Sequence, residues 1–305
     1  MLTAANNGLA RSPTHFSGIT MPVEIIPARP AHASDIARIL FHAFGKISAE
    51  HGFPSDVDSL ELGGMIAQLV TTRPDFTGFV AIDNGHVIGS NFIMLADEVG
   101  GIGPITIDPA HQGRQVGRRL MQAVIDAARA KGFQRLGLLQ DSFNTRSLSL
   151  YASLGFTVRE PAALIDIVPA EDIDPGIRPL TADDLDAADA LCVRLQKFSR
   201  RNETRAAIDG GFGPLAKLRN GKLCGYLIPG IFGHANAESI ADLVALLRNA
   251  AAHGGSATKS LIPLRNGDLF RALLTARCRV VKVMNQMTLG DYTPPTGTWL
   301  PSIEY

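Results

Sequence analysis

The chain of 305 residues is about twice the ~150 of an average domain, which predicts two domains. Its 46% hydrophobic and 19% charged residues fit a folded globular protein and exclude a disordered or fibrous one. Lys plus Arg and Asp plus Glu balance at 29 each, so no net field recruits nucleic acid or an anionic membrane.

Residues 1–22 hold Asn6, Asn7, Arg11, Pro13 and His15 without an apolar segment, make a poor signal peptide, and are expected to form a loose tail. Next, Arg29-Pro30 opens a strand, turn and helix in which Ser34 is the expected N-cap and Ile36, Ile39 and Leu40 form an apolar stripe. Asn84-Gly85, between apolar runs at 79–82 and 87–95, signals a hairpin, because both turn positions need positive φ. The same two signals return in the same order. Arg178-Pro179 precedes Asp183, the second expected cap, with Leu185, Ala188 and Leu191 as its stripe, and Asn220-Gly221 separates runs at 215–218 and 223–228. One fold used twice follows, over 23–168 and 177–305, divided where Pro169, Asp172, Asp174 and Pro175 break the periodicity. The cysteines Cys192, Cys224 and Cys278 are far apart and form no CxxC pair, which argues against a disulfide framework or a zinc site and for a reduced cytoplasm. No run reaches the ~18 apolar residues of a membrane-spanning helix.

Between Ile105 and Phe156 the order is strand, polar turn, helix, strand, polar turn, helix. The strand 103–107 leads into His111-Gln112-Gly113-Arg114-Gln115-Val116-Gly117, and the helix that follows carries Leu120, Met121, Val124, Ile125 and Ala128 on one face. A glycine-containing turn that opens a helix presents unpaired N–H groups and the positive end of the dipole, which is a site for a phosphate. Arg114, Arg118 and Arg119 add charge there. The second turn brings Asn144-Thr145-Arg146-Ser147-Leu148-Ser149-Leu150-Tyr151-Ala152-Ser153-Leu154-Gly155-Phe156, which fits N-x-x-[AS]-x-x-[LF]-Y-x-x-x-G-F, with Asn144 placed as an N-cap.

In these two motifs the chain resembles the GNAT acyltransferases, and the resemblance extends over residues 23–165. It implies an α+β fold of two tandem GNAT-like domains, each a twisted, mostly antiparallel central sheet flanked by helices. It also implies acetyl-CoA as co-substrate, its pyrophosphate held by Gln112, Gly113, Arg114, Gln115, Val116, Gly117 and Arg118. The strand Ile105, Thr106 and Ile107 would supply a backbone N–H to the thioester oxygen, Asn144 and Ser147 would lie beside the pantetheine arm, and Tyr151 would protonate the departing CoA thiolate. One position departs from the family pattern: Gln115 stands where a Gly is usual.

The family often places a carboxylate on the strand as general base, yet Gly100, Gly101, Ile102, Gly103 and Pro104 carry none. Glu98, with Asp97 beside it, is the nearest candidate; the alternative is a bound water with no dedicated side chain. Phe41, Phe44, His51 and Phe53 are candidates for an acceptor pocket, although an aromatic stripe is more often core. His32, His42, His51, His86 and His111 lack metal-ligand spacing, so no metal is expected.

In the second half, residues 229–240 contain no Q-x-x-G-x-G, and Leu273 and Arg277 stand at the places of Tyr151 and Gly155, so that half is expected to keep the fold without binding acetyl-CoA. Thr298-Trp299-Leu300-Pro301 is expected to dock, since Trp299 is the one tryptophan of the chain. Together these point to a cytoplasmic N-acetyltransferase moving acetyl from acetyl-CoA to a primary amine of a small molecule in a ternary complex. No nucleic acid or membrane partner is expected, and a homodimer is left open. The rival readings are a non-catalytic acyl-CoA sensor or scaffold and an N-acetyltransferase of proteins or peptides.

Overall fold

A computed structural model describes residues 23–305, and the expected tail 1–22 lies outside the described residues. The first half runs β1 (Glu24–Pro27), α1 (Ala33–His51), α2 (Leu60–Thr72), the hairpin β2 (Phe76–Asp83) and β3 (His86–Met94), then β4 (Val99–Ile102) and β5 (Thr106–Ile107). It continues with α3 (Val116–Ala130), β6 (Arg135–Asp141), α4 (Thr145–Ser153) and β7 (Thr157–Asp166). Residues 167–176 carry no helix or strand. The second half repeats the order: β8 (Ile177–Pro179), α5 (Leu185–Gln196), α6 (Arg201–Asp209), β9 (Leu215–Arg219), β10 (Lys222–Leu227), β11 (Ala235–Ala237) and α7 (Ile240–Ala251). After these come β12 (Lys259–Pro263), α8 (Gly267–Thr275), β13 (Arg279–Leu289) and β14 (Thr298–Leu300).

Local chemistry repeats along with the order. Asn84 and Gly85 turn with φ of 50° and 81°, and Asn220 and Gly221 with 52° and 74°, the left-handed pair a two-residue hairpin demands. Asn144 caps α4 and Asn266 caps α8, each side-chain oxygen accepting a backbone N–H three residues on at 3.2 Å. The caps expected at Ser34 and Asp183 are not used, because a 3-10 turn precedes α1 (Pro30–His32) and α5 (Ala182–Asp184), so the capping falls elsewhere. His32 Nδ1 accepts from the Arg29 N–H at 3.1 Å, and Asp184 accepts from the Thr181 N–H at 2.9 Å while holding Arg178 by two bonds of 2.7 and 2.8 Å.

The smaller sheet has the order β14-β11-β10-β9-β8 and is antiparallel throughout. Trp299 docks here as expected, on the edge strand β14, and is buried. The larger sheet has nine strands in the order β1-β2-β3-β4-β6-β13-β7-β12, with β5 beside β3, and is antiparallel except for the β4–β6 pair. At its centre the halves exchange strands. β13, made by the second half, lies between β6 and β7 of the first, and β7 lies between β13 and β12 of the second. Each half thus places the strand that follows its Asn-capped helix between two strands, one or both of them from the other half. The exchange carries the cores with it. Met287 of β13 is fully buried in a cluster with Ile93, Val124, Leu138 and Phe156, while Ala163 and Ile165 of β7 join Leu243, Leu247, Ile262 and Leu273.

Because the halves share strands, they should unfold as one unit. Met287→Ala, a deletion in the first half's core, should destabilise the protein by about 2 to 4 kcal/mol. Trp299 fluorescence, which reports the second half, should shift its denaturation midpoint by the same amount as far-UV circular dichroism; two separate transitions would contradict this.

Candidate active site

β4 and β5 form one strand interrupted at Gly103-Pro104. β4 pairs in parallel with β6 from Val99 opposite Arg135 to Gly101 opposite Gly137, while β5 stays on β3, with Thr106 opposite Ser90 and Ile107 opposite Gly89. A gap therefore opens between β5 and the end of β6. In an antiparallel ladder successive N–H groups point to alternate edges. The Asp108 N–H donates to the Ile88 carbonyl at 2.8 Å, so Ile107 turns its N–H the opposite way, into the gap, and the Ile105 N–H, just ahead of the paired residues, has no backbone acceptor among the described residues. That is where negative charge on a thioester oxygen would be met. The Thr106 side chain is buried against β3, with its hydroxyl 3.4 Å from that of Ser90.

Gln112, Gly113, Arg114 and Gln115 form an exposed turn before α3. Gln115 is left-handed, with φ of 59°, as is Gly113 with 86°. The backbone so keeps the bend a glycine would make, at a cost of about 1 to 2 kcal/mol for a residue with a Cβ. The first-turn N–H groups of Val116, Gly117 and Arg118 have no partner within the helix and present its positive end. Gly117 is required by close approach: a Cβ there would lie 2.9 Å from Ile107 Cδ1 and 3.3 Å from Leu150 Cδ2. Arginines rim the turn. Arg114 pairs with Asp83 at 3.3 Å, Arg118 donates to Ser153 Oγ at 2.5 Å, and Arg146 donates to Gln112 Oε1 at 2.5 Å. Arg119 is turned away and bonds the Val23 carbonyl at 2.6 Å.

Tyr151, on α4, is 6% exposed in the cluster of Ile102, Val124, Leu138 and Phe156, against which Ile105 also packs. Among the described residues its hydroxyl has no hydrogen-bond partner. Burial, and then the charge of Asp141, hold its pKa far above the ordinary phenol value, so it is protonated through the neutral range. Asn144 Oδ1 is taken by the cap of α4. Ser147 Oγ donates to the Asn144 carbonyl at 3.0 Å and accepts from Gln140 Nε2 at 3.1 Å, so both fix the start of α4.

A second group of residues, invisible in the local pattern, closes the end of β6. Lys282 of β13, with a side chain 1% exposed, lies 2.6 Å from Asp141 and 2.5 Å from Asp56 of the α1–α2 loop. Burial raises the Asp141 pKa, and Lys282 opposes that rise. Phe53 stacks on Phe143 at 4.5 Å, and His51 lies 5.1 Å from Phe143. Of the expected pocket residues, His51 and Phe53 thus meet this group, whereas Phe41 and Phe44 pack on the core of Ile36, Leu40, Val80 and Phe92. Only the strand exchange brings Lys282 here.

Glu98 is far from this place. Its carboxylate pairs with Arg135 and accepts the Ser199 N–H at 3.0 Å, while Asp97 accepts the N–H groups of Asn202 and Glu203 at 3.0 Å each and caps α6. Both line a depression with residues 131–135, at the C-terminal end of α3. The phosphate turn is at the other end of that helix, about 22 Å away at ~1.5 Å per residue. These two carboxylates dock the second half, and the expectation of Glu98 as base near Ile105 is corrected accordingly. In the second half, α7 starts at an ordinary Ser239 cap after β11, Leu273 is fully buried, and Arg277 takes the left-handed turn of Gly155, with φ of 64° against 95°. Among the described residues no three His, Cys, Asp or Glu side chains converge as a metal site, and no helix is long and apolar enough to cross a membrane.

Residues 40–156 match the model of the acetyltransferase (GNAT) family. An IAA acetyltransferase of Azospirillum brasilense is 35% identical over 92 residues, which are 29% of this chain and 60% of that protein, so the chain spans less than two thirds of this curated relative. A putative acetyltransferase of Pyrococcus horikoshii shares the fold over 94% of both chains, with a TM-score of 0.72 at 17% identity. A tandem GNAT protein of the clavulanic acid biosynthesis pathway does so over 88% of this chain and 98% of its own, with a TM-score of 0.54 at 12% identity.

The left-handed Gln115 gives a direct check on the turn. Gln115→Gly should leave stability within about 0.5 kcal/mol, relief of strain offsetting the entropy of glycine. Gln115→Val should cost about 1 to 2 kcal/mol in thermal denaturation, since a β-branched residue fits positive φ poorly.

Proposed function

From the match of residues 40–156 to the acetyltransferase (GNAT) family and the element order repeated in the second half, we propose that the protein is an acetyl-CoA-dependent N-acetyltransferase acting on a primary amine of a small molecule. One observation carries the reading: the gap beside β5 receives the Ile107 N–H and adjoins the unpaired Ile105 N–H, with the start of α3 and Tyr151 on its flanks. Acetyl-CoA supplies the acetyl group. The N–H groups of the turn 112–117 and of the first turn of α3 hold its pyrophosphate, with Arg114, Arg118 and Arg146 adding charge. The Ile105 N–H stabilises the oxyanion as the amine attacks. Tyr151 keeps its proton until the CoA thiolate leaves and then gives it up.

The acceptor class follows from the group at the end of β6. Asp56 and Asp141 carry two negative charges against the single ammonium of Lys282, and Phe53, Phe143 and His51 add aromatic faces. A surplus carboxylate beside aromatic rings suits a cationic amine with an apolar body. The balanced charge of the whole chain supplies no field to dock a protein acceptor.

Acetyl-CoA should raise the melting temperature, and free CoA thiol should appear with at least one of phenylethylamine, putrescine, methioninamide and an alanine-terminated peptide. Binding without thiol release from any of them would favour the sensor reading, and release from the peptide alone would move the acceptor class. Tyr151→Phe should lower kcat about ten-fold or more and leave KM for acetyl-CoA unchanged. An unaltered kcat would remove its role as acid.

A further inference from the structure

Residues 301–305 fold back over the first half. Successive strand residues face opposite sides of a sheet. Ile102, Leu136 and Leu138 face the core under α3, so Gly101, Gly103 and Gly137 face the other side. There a Cβ on Gly101 would lie 2.6 Å from Tyr305 Cδ1 and 2.8 Å from Glu304 Cβ, and one on Gly137 would lie 2.6 Å from Tyr305 Cβ. These glycines are the space that Glu304 and Tyr305 occupy. The Glu304 carboxylate is beside Gly103, its Oε2 3.5 Å from the place of a Cβ there, two residues before the Ile105 N–H. Leu139 and Asp141 continue that face along β6, and Leu139 shares a cluster with Ile303, so the segment and the Asp56–Lys282–Asp141 group lie on one side of the sheet.

Other residues anchor this segment. The fully buried Arg200 donates to both oxygens of Glu203 at 2.7 and 2.8 Å and to Ser302 Oγ at 2.8 Å, and its guanidinium lies 4.3 Å over the Tyr305 ring. The Tyr305 hydroxyl donates to Glu203 at 3.3 Å. Glu304 takes no part. It is 5% exposed, and its Oε2 has no hydrogen-bond partner among the described residues. An unpartnered buried carboxyl costs stability, so its retention next to the gap needs a reason beyond packing.

We propose that Glu304 is the general base of the first half's site, so that the carboxylate missing from residues 100–104 is supplied by the second half's closing segment. The inference rests on the acetyltransferase reading above. In the step, the Glu304 carboxylate takes one proton from the acceptor's ammonium, directly or through a water, and passes it to solvent. The freed lone pair forms the N–C bond at the thioester carbonyl. As the C–S bond breaks, the thiolate takes the Tyr151 proton, and the second proton lost by nitrogen returns through water to Tyr151.

Burial, and then the charge of Glu203, push the Glu304 carboxyl up to about 8; Arg73 and Arg200 oppose this, and Asp75 adds to it. These four charged groups face it from the start of α6 and from the turn between α2 and β2. Its unfolded value is 4.5, so the folded protein holds the extra proton between these limits, and the stability this contributes is lost as pH rises through about 8.

The test compares the full chain with Glu304→Gln and Glu304→Asp, using acetyl-CoA and the four acceptors named above. Wild-type kcat should rise with pH to a plateau above about 8, and Glu304→Gln should lower it about 100-fold or more and abolish that rise. Acetyl-CoA affinity should not change, and Glu304→Asp should recover part of the rate. The wild-type melting temperature should fall between about pH 7 and 9, and that of Glu304→Gln should not. A Glu304→Gln protein with wild-type kcat and pH profile overturns the assignment and leaves the acetyltransferase reading standing; a wild type that binds acetyl-CoA and releases no thiol overturns both. If Glu304→Gln does not fold, the wild-type profile decides, since a kcat without an ionisation between about pH 7 and 9 overturns the assignment.

Discussion

The position of β13 between β6 and β7 is the constraint from which the site follows. β6 pairs with β13 along nearly its whole length, Leu136 to Asp141 against Leu289 to Met284, but with β4 over only three residues. Ladder bonds on the longer side dictate its course, so β6 follows β13 and parts from the strand that continues into β5. The gap is the result, and the Ile105 N–H is left unpaired on its edge. The same strand delivers Lys282 to the two aspartates that close the gap's far end. The candidate catalytic half is therefore not shaped by its own residues alone.

Features that depend on neighbours in sequence are legible in the chain itself. The two Asn-Gly hairpins, the amphipathic α3, the Asn144 cap and the turn ahead of α3 rest on interactions within a few residues, and they stand where the pattern puts them. The caps expected at Ser34 and Asp183 fall elsewhere because a 3-10 turn and an α-helix start share the same composition. Lys282 and Glu304 are illegible for another reason: each is brought to the site by pairing or docking across more than a hundred residues, and loop closure over that distance leaves no local signature. A trace is present even so. Gly101 and Gly103 read in sequence as part of a strand without a carboxylate, and in the fold they lie on the face that receives another segment.

The second half repeats the first half's geometry without the residues to which the proposed chemistry is assigned. Asn266 repeats the Asn144 cap and Arg277 the turn of Gly155, yet the phosphate turn is gone and a buried Leu273 fills the place of Tyr151. What it retains is directed at the first half. Asp97 and Glu98 receive the N–H groups at the start of α6, and the buried Arg200–Glu203 pair holds residues 302–305 against β4 and β6. A buried charge pair contributes little net stability by itself but strongly penalises any arrangement that separates it, which suits a brace.

Exchanged strands also set the timetable of biogenesis. When β7 leaves the ribosome, every turn and helix of the candidate site has been made, but the strand that belongs between β6 and β7 is about 120 residues away in the message. At roughly 5 to 20 residues per second, the nascent first half waits on the order of 6 to 24 s with one edge of β6 and both edges of β7 without their partners. The duplicated architecture therefore places the most aggregation-exposed moment of the protein's life in the middle of its own synthesis.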